Sequence, residues 1–231
     1  TTLVVETGPL GGTCVNVGCV PKKVMWTTSQ IKDALDLASS YGFDIQQKGF
    51  DWSTIKNARD NYITRLNGIY GHNLDKSGVD VIKGEARFIS ARCIQVGGIE
   101  YQGKHILVAT GGRPSVPHIP GAELGITSDG YFELDHQPHN ILVIGAGYIA
   151  TELAGLMHGL GSEITMLLRK DILLRGFDQD IYQAVMSQMQ DSGIEILTNI
   201  PLQSLQQDSG NLDSWIPVAA PETDSTVSSG R

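Results

Sequence analysis

Cysteine is scarce in this sequence: Cys14, Cys19 and Cys93 are the 3 in 231 residues. That is too few for the disulfide framework of a small secreted domain. Long apolar runs are missing too. Stretches such as Ile141–Gly147 are far too short to cross a bilayer, so no membrane partner is expected. Basic blocks are also absent. With 17 Lys and Arg against 25 Asp and Glu, the net charge is −8, and a nucleic-acid partner is not expected. No second Cys pair or Cys/His cluster completes a four-ligand set, and the His residues show no metal-site spacing, so no metal is expected. The opening Thr1-Thr2-Leu3-Val4-Val5-Glu6 has neither an initiating Met nor a charged leader. It reads as the inside of a strand, so the N-terminus is expected to be cut. The expected compartment is the cytoplasm, with an organelle left open because a leader would have been lost.

What remains is ordinary globular material, 41% hydrophobic and 18% charged, enough for one large domain or two small ones. Strand character at Leu3–Glu6 leads into a Gly-rich turn over Gly8–Cys14. A helix is expected from about Pro21 to Ser40, with Val24, Ile31, Leu35 and Ala38 near one face. A second is expected from about Ser53 to Ser77, with Ile55, Ala58, Tyr62, Leu66, Ile69/Tyr70 and Leu74 recurring every three or four residues. Short β segments at Val79–Lys83, Ala86–Ile89, Cys93–Val96 and Lys104–Thr110 suggest a small meander. Arg113–Pro138, with four prolines, reads as an extended crossover that ends near a domain boundary. Beyond it, strand Ile141–Ile144, helix Tyr148–Leu160, strand Glu163–Leu168, helix Asp178–Ser192 and strand Ile194–Leu197 give a β-α-β-α-β order. That order implies a parallel, doubly wound α/β sheet. Ile181, Val185 and Met189 are in register on the second of these helices, and Gly193 suits its stop. From about Asn211, Ser, Thr, Pro, Gly and Asp dominate and poor order is expected, with only short apolar pieces such as Trp215–Val218.

Two stretches carry chemistry. The first is Gly11-Gly12-Thr13-Cys14-Val15-Asn16-Val17-Gly18-Cys19-Val20-Pro21-Lys22-Lys23. Four residues separate the thiols, a spacing expected to put both Cβ atoms on the same side of one helical turn. A slight distortion could then close a disulfide, with Gly18 giving the backbone room. A helix start and Lys22-Lys23 beside the thiols both favour a thiolate, which suits a pair cycling between dithiol and disulfide. Two ordinary cysteines in a tight turn would share the spacing, so the spacing alone leaves both readings open.

The second stretch is Ile141-Leu142-Val143-Ile144-Gly145-Ala146-Gly147-Tyr148-Ile149-Ala150, a G-x-G-x-x-A pattern between a buried strand and a helix. Gly145 permits the tight turn and Gly147 lets a pyrophosphate approach the backbone. Ala150 lets helix and strand pack closely, and the helix N-terminus attracts phosphate. Where NAD enzymes place an acidic residue to bind the ribose 2′-hydroxyl, this chain offers Arg169, Lys170 and, after a short loop, Arg175. Cations suit a 2′-phosphate, so NADP(H) is expected.

The thirteen-residue cysteine string resembles the redox-active site of the flavoprotein disulfide reductases, the pyridine nucleotide-disulfide oxidoreductase family. The resemblance runs over roughly residues 3–210. Pro21-Lys22-Lys23-Val24-Met25-Trp26 looks like the glutathione reductase branch rather than the lipoamide dehydrogenase or mercuric reductase branches, which usually carry Pro-Ser-Lys. Trypanothione reductase and the large thioredoxin reductases share the Lys-Lys, so those substrates stay open. The resemblance implies FAD and NADPH as cofactors, glutathione disulfide as substrate and a homodimer. It implies two Rossmann-like FAD/NAD(P)-binding domains, both incomplete, with a small β-meander. Residues 1–138 would be a partial FAD-binding domain, 139–210 a partial NADPH-binding domain and 211–231 a divergent tail.

Residue by residue, the resemblance implies Cys14 as the interchange thiol and Cys19 as the thiol facing the flavin. Lys22 would pair with Glu152 near the flavin, and Tyr148 would lie over the flavin and move when nicotinamide enters. Glu6 would bind the FAD ribose, and Gly12 and Thr13 would meet its pyrophosphate. The Ala86 backbone would meet the adenine, and Ala109-Thr110-Gly111-Gly112 would form a second FAD-associated segment. Gly145, Ala146, Gly147 and Ile149 would border NADPH, with Arg169 and Arg175 on its 2′-phosphate. Tyr70, and with it Tyr62, would line the glutathione disulfide pocket, although two Tyr eight positions apart on one helix also fit a core stripe. Cys93 reads as inert core. The family's first FAD loop and its interface domain, which gives a His and its Glu partner to the other subunit, are expected to lie outside this sequence. A chain of this extent is therefore expected to bind FAD poorly and to turn over negligibly by itself. A non-catalytic remnant would carry the same motifs.

Overall fold

The computed structural model describes residues 1–206 and the backbone of residues 216–219. The chain divides into two compact units, Thr1–Pro21 with Asn57–Gly112, and Lys22–Lys56 with the chain from Arg113 onward. The domain boundary expected near residue 138, at the end of the Pro-rich stretch, stays an expectation.

In the first unit, β1 (Thr2–Glu6) pairs in parallel with β2 (Val79–Lys83), from Thr2 opposite Val79 to Glu6 opposite Lys83. After β1, Gly11 and Gly12 take φ of 106° and 62°, a region closed to most residues with a Cβ. They lead into a short helix, α1 (Gly12–Val17), whose Val15 is buried. A helix α2 (Cys19–Leu37) begins one residue after α1 ends, and α3 (Trp52–Lys76) follows. The division between the units falls within both α2 and α3. Asp51 stops the backbone ahead of α3, its Oδ1 accepting from the Ser53 N–H at 3.0 Å.

The expected meander forms from β3 (Ala86–Ser90), β4 (Cys93–Val96) and β5 (Ile99–Gln102), all antiparallel. Gly97 and Gly98 both have positive φ, 55° and 86°, the signature of a two-residue turn that matches strand twist. That turn sets Val96 opposite Ile99, so β5 lies at Ile99–Gln102 rather than at Lys104–Thr110. Lys104–Thr110 forms no strand: it lies in no ladder, and Leu107 and Val108 are 90% and 61% exposed. A strand needs a neighbour for its N–H and C=O groups, and composition cannot supply one.

The second unit holds an all-parallel sheet, with β6 (Ile126–Thr127), β7 (Asn140–Ile144), β8 (Glu163–Leu167), β9 (Glu195–Leu197) and β10 (Ile216–Ala219) in the order β6-β10-β7-β8-β9. Its helices are α4 (Ser128–Glu133), α5 (Tyr148–Gly159) and α6 (Gln179–Asp191). The α5 face Ala150, Leu153, Ala154, Leu156 and Met157 is buried, as are Ile141, Val143, Ile164 and Met166 of the sheet. Burying the Leu, Ile, Val and Met side chains among these contributes about 1.5–3 kcal/mol each against the entropy of ordering the chain. Asp178 caps α6, accepting from the Asp180 N–H at 2.9 Å, and Gly193 follows its end at φ 106° as expected.

Three expectations are corrected here. Arg113–Pro138 is not wholly extended, because β6 and α4 lie within it. Tyr131 and Phe132 of α4 are buried, and Tyr131 stands edge-on to Trp52, whose indole N–H donates to the Leu134 carbonyl at 2.9 Å. Within the stretch expected to be poorly ordered, Ile216–Ala219 forms a strand between β6 and β7, and the rest of that stretch lies outside the described residues. Finally, the expected inward residues Ile31 and Leu35 of α2 and Ile181 of α6 are exposed. The buried side of α2 is Pro21, Met25 and Ser29, a face on which only Met25 is large and apolar.

Candidate functional site

The cysteine turn is built on Gly18. Cys14 lies within α1 and Cys19 opens α2. On an uninterrupted helix, residues five positions apart point about 140° away from each other. The expectation that the spacing alone puts the thiols on one side of a helical turn is therefore wrong. Gly18 breaks the helix between them, at φ −147° and ψ −118°. A Cβ on Gly18 would lie 2.9 Å from the Thr13 carbonyl oxygen and 3.1 Å from the Cys14 Cα, so Gly18 passes this close to the Thr13–Cys14 backbone only because that Cβ is absent. Both cysteines are exposed. Cys14 lies in the first turn of α1, and Cys19 is the first residue of α2.

Asn16 braces the same turn. Its amide donates to the Gly12 carbonyl at 2.8 Å, and its Oδ1 accepts from Asn67 Nδ2 of α3 at 2.9 Å. Asn67 also donates to the Leu10 carbonyl at 2.7 Å. Two asparagines 51 positions apart thus pin the Gly-rich segment, a link no local pattern could announce.

Lys22 Nζ and Glu152 Oε1 are 2.7 Å apart, joining α2 to α5 in an ion pair. Two turns further along the same helices, Ser29 and Gly159 meet. A Cβ on Gly159 would fall 2.0 Å from Ser29 Oγ and 3.3 Å from its Cβ. The intervals Lys22 to Ser29 and Glu152 to Gly159 are equal, so the close contact and the ion pair define one parallel register. Tyr148 stands one turn before Glu152 on α5 and is 48% exposed. Neither Ser29 nor Gly159 was singled out in the sequence. The signal was their shared interval of seven from Lys22 and Glu152.

The dinucleotide turn has the form expected of it. β7 passes at Ile144 into Gly145, whose φ is 143° and whose N–H donates to the Leu167 carbonyl at 3.1 Å. Gly147 precedes α5, and among the described residues no side chain caps that helix, which suits its first backbone N–H groups to an anion. Ala150 is fully buried, as close packing of helix and strand demands. Ile149 is half-buried beside it. Because Ile144 lies opposite Leu167, the residues that follow β8 emerge at the same carboxyl end of the sheet as the glycine turn. There Arg169, Lys170 and Arg175 are exposed, while Leu173 and Leu174 between them are buried. The Leu174 N–H donates to the Ala146 carbonyl at 2.7 Å, which ties the basic loop to the glycine turn. Helix-start amides beside exposed cations fit a nucleotide that carries a 2′-phosphate.

Glu6 ends β1, and its Oε1 accepts from the Gly8 N–H at 2.8 Å. With Leu10, Asn67, Val81 and Lys83 it borders a cavity of about 250 Å³ in the first unit. A carboxylate at the carboxyl end of a parallel strand, over an open cavity, fits a ribose hydroxyl pair. Gly12 and Thr13 are exposed at the start of α1. Ala86 begins β3, and Thr110 and Gly111 lie in the irregular exposed segment after β5, apart from the contacts just described. Tyr62 and Tyr70 are 42% and 43% exposed, so they do not form the core stripe their spacing also allowed. Cys93 is half-buried on β4.

Residues 1–225 match the family described as pyridine nucleotide-disulphide oxidoreductase. The chain is 48% identical over 205 residues to a glutathione reductase of Schizosaccharomyces pombe, a match covering 85% of this chain and 44% of that protein. It is 43% identical over 226 residues to a glutathione reductase of Yarrowia lipolytica, covering 91% of this chain and 48% of that protein. The chain thus spans a little under half the length of these curated relatives. On the match of nearly its whole length, and on a glycine-broken cysteine pair and a dinucleotide turn that fit it, the chain belongs to the pyridine nucleotide-disulphide oxidoreductase family.

Proposed function

We propose that this chain carries the dithiol and nucleotide-binding parts of an NADPH-dependent, FAD-containing disulfide reductase whose substrate is glutathione disulfide. The observation that carries the proposal is the Lys22–Glu152 ion pair. It links the helix opened by Cys19 to the helix opened by the dinucleotide turn. Both relatives above are named glutathione reductases, which favours glutathione disulfide over other disulfides. The two units are read as incomplete FAD- and NADPH-binding domains, in a protein that acts as a homodimer in the cytoplasm.

When bound, flavin and nicotinamide supply the two electrons that return the disulfide to the dithiol. The chain's own residues perform the exchange. The Cys14 thiolate attacks one sulfur of glutathione disulfide, forming a mixed disulfide and releasing one glutathione thiolate. The Cys19 thiolate then attacks the Cys14 sulfur, closing Cys14–Cys19 and releasing the second glutathione. Gly18 lets the second attack occur within the turn. Lys22, fixed by Glu152, places a positive charge one turn into the Cys19 helix, where it favours negative charge developing nearby. Tyr148, exposed at the start of α5, would cover a bound ring and swing aside. Glu6 would hold a ribose, with Gly12 and Thr13 at a pyrophosphate and the Ala86 backbone and the Thr110-Gly111 segment at other parts of FAD. Gly145, Ala146, Gly147 and Ile149 would border the nucleotide, with Arg169 and Arg175 on its 2′-phosphate. Tyr70 and Tyr62 would meet glutathione.

The exchange can be tested on the chain alone. Fully reduced protein is mixed with glutathione disulfide, and released thiol and protein mass are followed. The expected result is two glutathiones released per chain with Cys14 and Cys19 joined. In Cys19→Ser the reaction should stop at a mixed disulfide on Cys14. Undiminished release from Cys14→Ser would sink the assignment.

A further inference from the structure

We propose that Leu174 is the positioning residue through which this chain selects a 2′-phosphorylated nucleotide. The inference rests on the nucleotide reading above and extends it to a residue that touches no ligand. Arg169 and Arg175 are exposed, and arginine side chains on a mobile loop lose much rotamer freedom when they hold an anion. Selectivity therefore depends on what fixes the loop.

Leu174 fixes it from several sides. It is one of two non-glycine residues with positive φ among those described, at 52°, the other being Asn199. A Cβ makes that conformation unfavourable, and it persists only where the surroundings over-determine it. Here they do. The Leu174 side chain is 8% exposed beside the fully buried Leu173, and the Leu174 N–H donates to the Ala146 carbonyl at 2.7 Å. Its own carbonyl accepts from the Phe177 N–H at 3.0 Å. The left-handed residue is also where two consecutive buried leucines give way to an exposed Arg175. The other positive-φ residue braces the far end of the same loop, the Asn199 N–H donating to the Lys170 carbonyl at 3.2 Å.

The glycine turn has its own anchor, Gly145 N–H to the Leu167 carbonyl at 3.1 Å. Loosening Leu174 therefore frees the stretch that carries Arg175, while Arg169 stays between the hydrogen-bonded Leu168 and Lys170 and the pyrophosphate-facing turn stays in place. The defect should fall on the 2′-phosphate alone.

The experiment is calorimetric titration of the full 231-residue chain with 2′,5′-ADP and with 5′-AMP. Wild-type protein should bind 2′,5′-ADP more tightly. Leu174→Gly keeps the N–H and accepts positive φ but lacks the apolar anchor. It should weaken 2′,5′-ADP by about tenfold, a change of the order of one charge-assisted contact, and leave 5′-AMP within about twofold. Leu174→Asn, which also tolerates this backbone, should behave like Leu174→Gly and show that the lost anchor is responsible. Leu174→Met, which restores an apolar side chain, should keep wild-type selectivity. Equal weakening of both nucleotides would mean a merely structural role and overturns the inference, as does unchanged selectivity in Leu174→Gly. A wild-type chain with no preference for 2′,5′-ADP overturns the nucleotide reading itself and this inference with it, a result visible before any substitution is made.

Discussion

Gly159 approaches Ser29 so closely that a Cβ on it would fall 2.0 Å from the Ser29 hydroxyl oxygen. The contact holds α2 and α5 together two turns from the Lys22–Glu152 pair, and Asp33 Oδ1, one turn beyond Ser29, lies 3.8 Å from the same point. A small rotation of the serine could accommodate one methyl group, but not a branched side chain. Gly159→Val should cost about 1–3 kcal/mol of stability, the range for overpacking. Ser29→Gly in the same chain should recover part of that loss. Urea denaturation of the two single variants and the double variant would measure the coupling, and strictly additive losses would contradict the contact.

The Lys22–Glu152 pair should matter little for stability. Its side chains are 27% and 41% exposed, so solvent and salt screen the attraction. A double-mutant cycle with Lys22→Met and Glu152→Gln should give a coupling of about 0.2–1 kcal/mol at low salt, shrinking as salt is added. A coupling of several kcal/mol that salt leaves unchanged would show that the pair is a buried structural bridge instead.

Gly18→Ala should damage the cysteine turn specifically. The atoms in its way are the backbone at Thr13 and Cys14, which cannot swing aside as a side-chain tip can. With glutathione disulfide, first release of glutathione at Cys14 should keep its rate. The second release, which needs Cys19 to reach Cys14, should slow by about tenfold or more. Rapid-quench thiol counting separates the two steps, and equal rates for the second step in variant and wild type would remove Gly18 from the chemistry.

Asp51 ties stability to acid. The Thr54 hydroxyl, and after it the Ser53 hydroxyl, hydrogen-bond the carboxylate and hold its pKa below the ordinary 3.8. A carboxyl with a depressed folded-state pKa contributes stability above its unfolded value and loses it as pH falls through the folded value. The cap at the start of α3 should therefore persist at neutral pH and fade only below about pH 4. Carboxyl NMR titration should place the Asp51 midpoint below 3.8, and Thr54→Val should move it upward. A midpoint at or above 3.8 in the wild type would contradict the hydrogen-bonded arrangement.

Where an element announces itself through short-range chemistry, it was legible before any coordinates. The strand–glycine–helix passage around Gly145 and Gly147 is written in consecutive residues, and so is the Gly193 stop of α6. The sequence also marked the cysteine pair and the basic residues after β8. It misplaced the third strand of the meander, because Lys104–Thr110 is the more apolar segment while the Gly97-Gly98 turn sets the register. It misjudged the inner face of α2 because small and polar Pro21 and Ser29, not Ile31 and Leu35, face inward.

By itself, then, the order of residues determined which groups could do chemistry: two thiols, a phosphate-binding turn and a set of cations, each defined by neighbours along the chain. Only the tertiary structure decided what holds them in place. The Asn16–Asn67 brace, the Ser29–Gly159 contact and the Leu174–Ala146 hydrogen bond each join residues far apart in sequence. Their existence depends on distances through space, and a one-dimensional pattern does not contain those distances.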